Sequence, residues 1–214
     1  MKAVMKSVSP QICEKVANGD CTILVSKTAP KCEEPFKCYI YCTSSDVHSA
    51  LVVGGGDANL IHCCNYKSAI PVGGAMGNGK VIGEFVCNWI TKITPNCDID
   101  GCVNQYTHGY PAILGDNDCL SFNDIKAYLG NKKGYDWHIS DLKIYDKPKQ
   151  ISDFLKPCPD PYHYCTICKH CFKIIPPDEE EYAFYHGGHY DYCEEHCVNI
   201  LRNPPKGWQY VEEL

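Results

Sequence analysis

Cysteine spacing near the carboxyl end is the feature that most constrains what this chain can fold into. Cys165 and Cys168 are separated by two residues, and Cys193 and Cys197 by three. Zinc prefers four sulfur or imidazole ligands at tetrahedral angles, and such spacings let both members of a pair point at one ion. A region this short buries little apolar surface without such a staple. The sequence therefore predicts one structural zinc ion, held by these four cysteines.

The zinc ligand set leaves alternatives open. His196 can replace Cys197, since both lie within one helical turn of Cys193. Cys171 is a further candidate, as are the nearby imidazoles His170, His186 and His189. A second group of residues has looser spacing and predicts buried thiols without a metal: His62, Cys63, Cys64, Cys97, Cys102 and His108.

The 17 cysteines among 214 residues would indicate disulfides in a secreted protein. However, the first residues lack the long apolar centre of a secretion signal. No apolar run approaches the roughly 20 residues of a membrane helix. We therefore expect a cytoplasmic protein without membrane contact, whose cysteines are reduced thiols.

Charge is unevenly distributed along the chain. Residues 1–150 hold 15 basic and 15 acidic side chains, whereas residues 151–214 hold 5 basic and 11 acidic ones. A chain with one arginine, Arg202, and no basic run is poorly suited to tight, sequence-independent binding of duplex nucleic acid. A local basic edge formed by Lys27, Lys31 and Lys37 remains an alternative, and the acidic tail suggests docking to a protein partner.

Helix and strand signals predict an α+β domain. Ser9-Pro10 begins a helix that Asn18-Gly19 ends, and Ser121 begins a second helix that Gly130 ends. Strands are predicted over residues 21–26, 37–43, 80–93 and 135–145. Residues 43–80 contain several glycine clusters but no glycine-lysine-threonine signature, and predict a long loop or irregular insertion.

Prolines 157, 159 and 161 predict a linker, because proline does not fit inside a helix or central strand. The order of elements suits a mixed, curled sheet. The predicted domains are residues 1–154, a linker over 155–161 and a zinc-binding region over 162–214.

Four stretches of the first domain carry a family resemblance. They are Val16-Ala17-Asn18-Gly19-Asp20-Cys21-Thr22-Ile23 after Ser9-Pro10, residues 35–43, residues 79–87, and Trp137-His138-Ile139-Ser140-Asp141-Leu142-Lys143-Ile144-Tyr145. Together they resemble the ASCH domain of the PUA-like superfamily, in the form carried by bacteriophages and gut bacteria. The resemblance implies a mixed β-barrel with flanking helices, in the cytoplasm of a bacterial host if the chain is phage-encoded.

In that family, a cleft beside the first helix and second strand accepts RNA or a modified nucleoside. Some members hydrolyse acetylated cytidine with a lysine and a threonine in a Gly-x-Lys-Thr pattern. This sequence keeps Gly19 and Thr22 but has Cys21 at the lysine position, Leu24 at the threonine or glutamate position and Ser26 at the arginine position. Loss of these cations and hydroxyls disfavours the family's hydrolytic chemistry.

The sequence therefore predicts a non-catalytic module that binds RNA or a modified nucleotide and is stabilised by structural zinc. The expected ligand-binding residues are Gly19, Cys21, Thr22, Lys27, Tyr41, Glu84 and His138. Aromatic stacking platforms are expected among Tyr39, Tyr41, Trp89, Tyr135 and His138. One alternative is an amidohydrolase of modified nucleosides that uses Thr22, Lys27, Glu84 and His138. Another is a module that docks a host protein through the acidic tail.

Overall fold

The computed structural model describes residues 3–97, 103–108, 120–156 and 201–213. Within these ranges the chain forms two α-helices, α1 (Pro10–Ala17) and α2 (Phe122–Leu129). The strands are β1 (Ala3–Val8), β2 (Ile23–Ser26), β3 (Phe36–Cys42), β4 (Ser49–Gly54), β5 (Asp57–His62), β6 (Ala75–Met76), β7 (Val81–Cys97), β8 (Val103–His108), β9 (Gly134–Lys149), β10 (Phe154–Leu155) and β11 (Trp208–Glu213). Among these residues, no helix is both long and apolar enough to cross a membrane.

The main sheet is mixed and curled. Its strand order is β10-β11-β1-β3-β7-β9-β2, with β8 paired to β7. The β1–β3 pair is parallel, whereas β1 pairs with β11 in antiparallel fashion. The two ends of this strand order lie close together, which shows that the sheet curls: the segment that follows β2 contacts β11 near the opposite end. There, Trp208 Nε1 donates to Thr28 Oγ1 at 2.8 Å, and the Lys31 amide donates to Tyr210 Oη at 2.7 Å. The predicted α+β class with a mixed, curled sheet is confirmed.

Both helices begin and end where the sequence predicts. Ser9 caps α1, and its hydroxyl accepts a hydrogen bond from the Ile12 amide. Ser121 and Asp124 form a reciprocal capping box at the start of α2. Gly130 ends α2 in the left-handed conformation, which glycine adopts without steric cost. These local signals position the two helices that border the site described below.

Strand β1 separates two apolar cores. Val4 and Val8 face a core that includes Trp137. Ala3 and Met5 face the second core. Because side chains alternate along a strand, Lys6 lies on the same face as Val4 and Val8. A lysine thus points into the larger core, which also contains Leu24, Phe36, Cys38, Ile40, Phe85 and Cys87.

The prediction of a loop or irregular insertion over residues 43–80 is wrong. This stretch forms a second sheet with strand order β5-β4-β6. Gly55 and Gly56 connect β4 to β5 and have φ angles of 67° and 86°. Positive φ at both central residues matches a type I′ hairpin turn, which twists as the flanking strands do. The glycine cluster is therefore a hairpin signal.

Strands β7 and β9 are longer than predicted, and they bend where irregularities were expected. Their pairing shifts register between Val81 and Gly83, and a side chain at Gly83 would meet the Lys143 carbonyl oxygen at 2.5 Å. Asp141, where the sequence predicts a register change, has a φ of 46°. Bulges of this kind bend a strand and increase its twist, which suits a curled sheet.

The carboxyl-terminal segment belongs to the main sheet. Residues Trp208–Val211 pair with Lys6–Ala3, and Leu201 is fully buried in the second core. The prediction that residues 162–214 form a separate region therefore does not hold for the end of that range, because residues 208–211 pair with β1. The six predicted zinc ligands, Cys165, Cys168, Cys171, Cys193, His196 and Cys197, lie outside the described residues, as does the acidic stretch between them.

Candidate ligand-binding cavity

A cavity of about 280 Å³ opens between β1, β2 and the two helices. Strand β1 contributes Lys6, Ser7 and Val8 to its wall. The start of α1 contributes Ser9 and Ile12, β2 contributes Leu24 and Val25, and the α2 region contributes Leu120, Asp124 and Tyr128. The lining is mainly apolar, with one cation and one carboxylate. This location, beside the first helix and second strand, is where the family resemblance places a cleft.

Lys6 is the unusual residue of the cavity. Only 4% of it is exposed, and its Nζ lies 4.5 Å from the centre of the Trp137 ring. Among the described residues, no carboxylate forms an ion pair with it. Burial lowers the pKa of Lys6 to about 8, although the nearby Cys38 and Cys87 thiols oppose the shift. The structure thus holds, at the cavity wall, a lysine whose neutral form is more accessible than that of an ordinary lysine.

Trp137 fixes the floor beneath the Lys6 amine. Its side chain is fully buried, and it meets Phe36 edge to face at a centroid distance of 5.8 Å. Trp208 of β11 lies 6.0 Å from the same ring. Because aromatic rings packed on several sides lose rotamer freedom, the face that Trp137 presents to Lys6 is held in place.

The α2 rim of the cavity pairs aromatic rings with lysines. Tyr128 is 39% exposed, and Lys27 lies over its ring at 4.9 Å. Phe122 is 38% exposed, and Lys126 lies over its ring at 5.7 Å. Proteins that bind single-stranded nucleic acids combine exposed aromatic rings, on which bases stack, with cations that contact phosphates.

Asp124 is the one carboxylate at the cavity wall, and it is already committed to the helix start. Its Oδ2 accepts a hydrogen bond from the Ser121 hydroxyl at 2.7 Å. This hydrogen bond and one from the Ser121 amide lower the pKa of Asp124. Asp124 therefore stays ionised and remains part of the cap of α2.

None of the seven predicted ligand-binding residues is among those that the structure shows lining this cavity. Lys27 comes nearest, through its contact with the lining residue Tyr128. Gly19 is exposed at the end of α1, and the Thr22 carbonyl accepts a bond from the Ile139 amide. The stacking platforms Tyr39 and Tyr41 are only 3% and 4% exposed, so they pack in the core.

Cys21 corrects the expectation that the cysteines are reduced. It is disulfide-bonded. Seven other cysteines with described side chains are free thiols, namely Cys13, Cys32, Cys38, Cys42, Cys63, Cys64 and Cys87. A prediction from the cellular compartment applies to all cysteines of a chain together, so it does not identify a single cysteine that forms a disulfide in the fold. In this state Cys21 has no thiol to act as a nucleophile.

Glu84 lies on the opposite face of the sheet from Lys6. Its Oε2 is 2.8 Å from Lys37 Nζ, and it accepts a hydrogen bond from Tyr145. Partial burial acts to raise the pKa of Glu84, but the bonds from Lys37 and Tyr145 outweigh it and lower that pKa. Glu213 of β11 joins this cluster by accepting from Tyr39 at 2.6 Å and pairing with Lys149. We call these six residues the outer-face network.

His138 lies in a third location. It is 5% exposed, its Nε2 is 3.1 Å from Thr91 Oγ1, and its ring is 5.0 Å from that of Trp89. The four residues proposed for an amidohydrolase therefore occupy different places. Lys27 is at the cavity rim, Glu84 is in the outer-face network, His138 is beside Trp89, and Thr22 pairs through its backbone.

Lys6 and Tyr128 are the site residues that the sequence analysis missed. The stretch Ala3-Val4-Met5-Lys6-Ser7-Val8 is apolar except for its lysine and serine. A charged residue in phase with the buried positions Val4 and Val8 is the available signal. This signal can be used only when the buried face of β1 is known, and the short stretch alone does not show which face that is.

No protein-family model matches the chain, and no curated protein matches it. Among solved structures, the chain is similar to a tyrosine-to-phenylalanine variant of ZmASCH from Zymomonas mobilis, with a TM-score of 0.41 and 14% identity over 70% of this chain and 76% of that one. A serine-to-alanine variant and ZmASCH itself each give a TM-score of 0.39 and 15% identity, over 69% of this chain and 73% of theirs. A likeness of this size establishes neither family nor ligand for this chain.

Proposed function

We propose that this chain is a non-catalytic binding module that takes a nucleobase-containing ligand, RNA or a nucleotide, into the cavity between β1, β2 and α2. The observation that carries the proposal is Lys6, a cation without a carboxylate partner among the described residues, buried against an apolar cavity. A buried charge is costly unless it is paired. An anionic or strongly polar group of a ligand would supply that partner.

The size of the cavity restricts the ligand. A volume of about 280 Å³ is close to the lower end, roughly 300 Å³, of small-molecule pockets. It holds one base or one mononucleotide and excludes a duplex. A longer strand would place one nucleotide inside and continue over the rim, where Tyr128 and Phe122 offer stacking faces beside Lys27 and Lys126.

Calorimetric titration with adenosine, cytidine, guanosine and uridine monophosphates and with short oligoribonucleotides tests the proposal. Lys6→Met keeps the volume of the side chain and removes its charge, and we expect it to weaken binding by about tenfold or more, as for other buried charge-assisted contacts. Lys37→Met, in the outer-face network, is the matched control and should leave the affinity unchanged. Equal affinities for the wild type and Lys6→Met, or no binding of any ligand in the series, would overturn the proposal.

An ASCH-type domain of the PUA-like superfamily is our proposal for the class of this module. It is supported by the Trp137 to Tyr145 motif, which lies on β9 and supplies Trp137 to the core. We propose the phage or gut-bacterial form of the domain on the sequence resemblance alone.

A structural zinc ion in the region around Cys165, Cys168, Cys193 and Cys197 remains a proposal from spacing. Freshly reduced protein, purified without chelator, should contain one zinc per chain by elemental analysis. Cys168→Ser should release it, whereas Cys64→Ser, at an exposed free thiol, should not. Absence of zinc in the reduced protein would contradict this part of the account.

A further inference from the structure

Beyond its charge, Lys6 has the surroundings of a nucleophile. We propose that its amine condenses reversibly with an aldehyde carried by a nucleoside or nucleotide in the cavity, which would be held as an imine. This inference rests on the proposed function, because it takes the same cavity as the ligand site. It adds a covalent mode of binding and assigns it to one atom, Lys6 Nζ.

Geometry supports this role first. Lys6 lies inside strand β1 with Val4 and Val8 on the same face, so its stem is packed, and the residue lines the cavity. Trp137 lies beneath the amine at 4.5 Å and closes the approach from that side. A ligand entering the cavity therefore meets Lys6 at its wall, and the apolar lining holds back water that would hydrolyse an imine.

Protonation supports it second. Lys37 Nζ is 2.8 Å from a carboxylate and its pKa is raised, because the bonds to Glu84 and Tyr39 outweigh partial burial. Burial instead lowers the pKa of Lys6 to about 8. At pH 7.4 roughly a fifth of such an amine is neutral, against about one in a thousand for an ordinary lysine. Only the neutral amine attacks a carbonyl carbon, and desolvation is a known route to such lysines.

The step balances without any oxidant or reductant. The lone pair of the Lys6 amine forms a bond to the carbonyl carbon, and a proton passes from nitrogen to the former carbonyl oxygen. Loss of that oxygen as water then gives the carbon–nitrogen double bond. Addition of water reverses both steps and restores the lysine and the aldehyde, so the ligand is captured and released without net chemistry.

Borohydride trapping tests the inference in the full-length protein. Adenosine monophosphate opened by periodate to its dialdehyde is the nucleotide probe, and pyridoxal is the uncharged aromatic probe. After a brief incubation at pH 7.5, borohydride reduces any imine to a stable amine that peptide mass spectrometry locates. We expect Lys6 to be labelled about tenfold faster or more than Lys37 and Lys149, since the larger neutral fraction outweighs the lower basicity.

Variants and competition make the outcomes distinguishable. Lys6→Arg keeps the cation but cannot form the imine, so labelling at this position should vanish. Labelling spread evenly over exposed lysines in the wild type would overturn the inference without needing any variant. If AMP binds in a Lys6-dependent way but no label reaches Lys6, the covalent mode is wrong and the proposed function stands. Labelling of Lys6 that AMP neither competes with nor slows would contradict the nucleotide-binding function, and with it a nucleotide as the carrier of the aldehyde.

Discussion

Lys6 and Lys37 lie on neighbouring strands and each amine sits over an aromatic ring, at 4.5 Å from Trp137 and 4.7 Å from Tyr39. They differ in what else surrounds them. Lys37 is partly exposed and paired with Glu84, whereas Lys6 is buried beside apolar groups and thiols. Pairing with Glu84 fixes the charge of Lys37 as part of the sheet's surface, whereas Lys6 has no carboxylate partner among the described residues. An aromatic contact alone therefore does not distinguish the two kinds of lysine.

The two faces of the sheet also differ in what closes them. The outer face is completed by the carboxyl-terminal segment, which buries Leu201 and places Glu213 against Tyr39 and Lys149. The inner face is left with a cavity between β1 and β2. The difference predicts that substitutions on the outer face change stability, and that those in the cavity change stability with pH and change binding.

The largest stability effect should come from Leu201→Ala. Leu201 is fully buried, and its amide donates to the Phe154 carbonyl at 2.8 Å, so truncation leaves a cavity where the carboxyl-terminal segment joins the core. We expect a loss of about 2–5 kcal/mol in the free energy of unfolding, measured by urea denaturation. The neighbouring exposed Arg202→Ala is the control and should change it by less than about 0.5 kcal/mol. A loss as small as that of the control would mean that this segment does not complete the outer face.

Lys6→Met should remove the pH dependence of stability that a buried amine contributes. The folded pKa of Lys6 is about 8 and the ordinary value is 10.5, so the unfolded chain binds more protons between these pH values. Wild-type stability should therefore rise relative to the variant as pH increases from 8 to 10.5, by about 3 kcal/mol in total. The comparison of denaturation curves for the two proteins cancels the titration of other groups. A constant difference across this range would show that Lys6 is an ordinary lysine.

Lys37→Met should give a smaller effect of opposite sign. The folded pKa of Lys37 is raised, so its contribution is present below the ordinary lysine pKa and is lost as pH rises through the folded value. Because the amine is partly exposed, we expect a loss of only about 0.2–1 kcal/mol at pH 7, reduced further by salt. Denaturation at low and high ionic strength measures it. A salt-independent loss well above that range would place Lys37 among buried, not surface, ion pairs.

Local signals in the sequence predict part of this structure well. Ser9-Pro10, Ser121 and Gly130 set helix ends through contacts within a few residues, and they were predicted correctly. The return of residues 208–213 to β1 depends on pairing across the whole chain, which no local pattern reports. Gly55-Gly56 did carry a local hairpin signal, but the adjacent glycines favoured a loop.

The site was less predictable than the fold for the same reason. The family pattern directed attention to Gly19, Cys21 and Thr22, none of which lines the cavity that the structure shows. The cation at that cavity comes instead from β1, fifteen residues before Cys21, and the aromatic wall comes from α2. A lysine is recognised as buried and unpaired only when the strands on both sides are in place.

The most direct test of the account is the titration of the Lys6 amine, monitored by NMR of protein that carries ¹³C-labelled lysine. The Lys6 signal is assigned by its absence in Lys6→Met. The account predicts a Lys6 amine that titrates near pH 8 without ligand and at higher pH once a nucleotide is bound, since an anionic group favours the charged form. Lys37 should not respond to the ligand. A Lys6 amine that titrates near 10.5 and is unaffected by any nucleotide would contradict it.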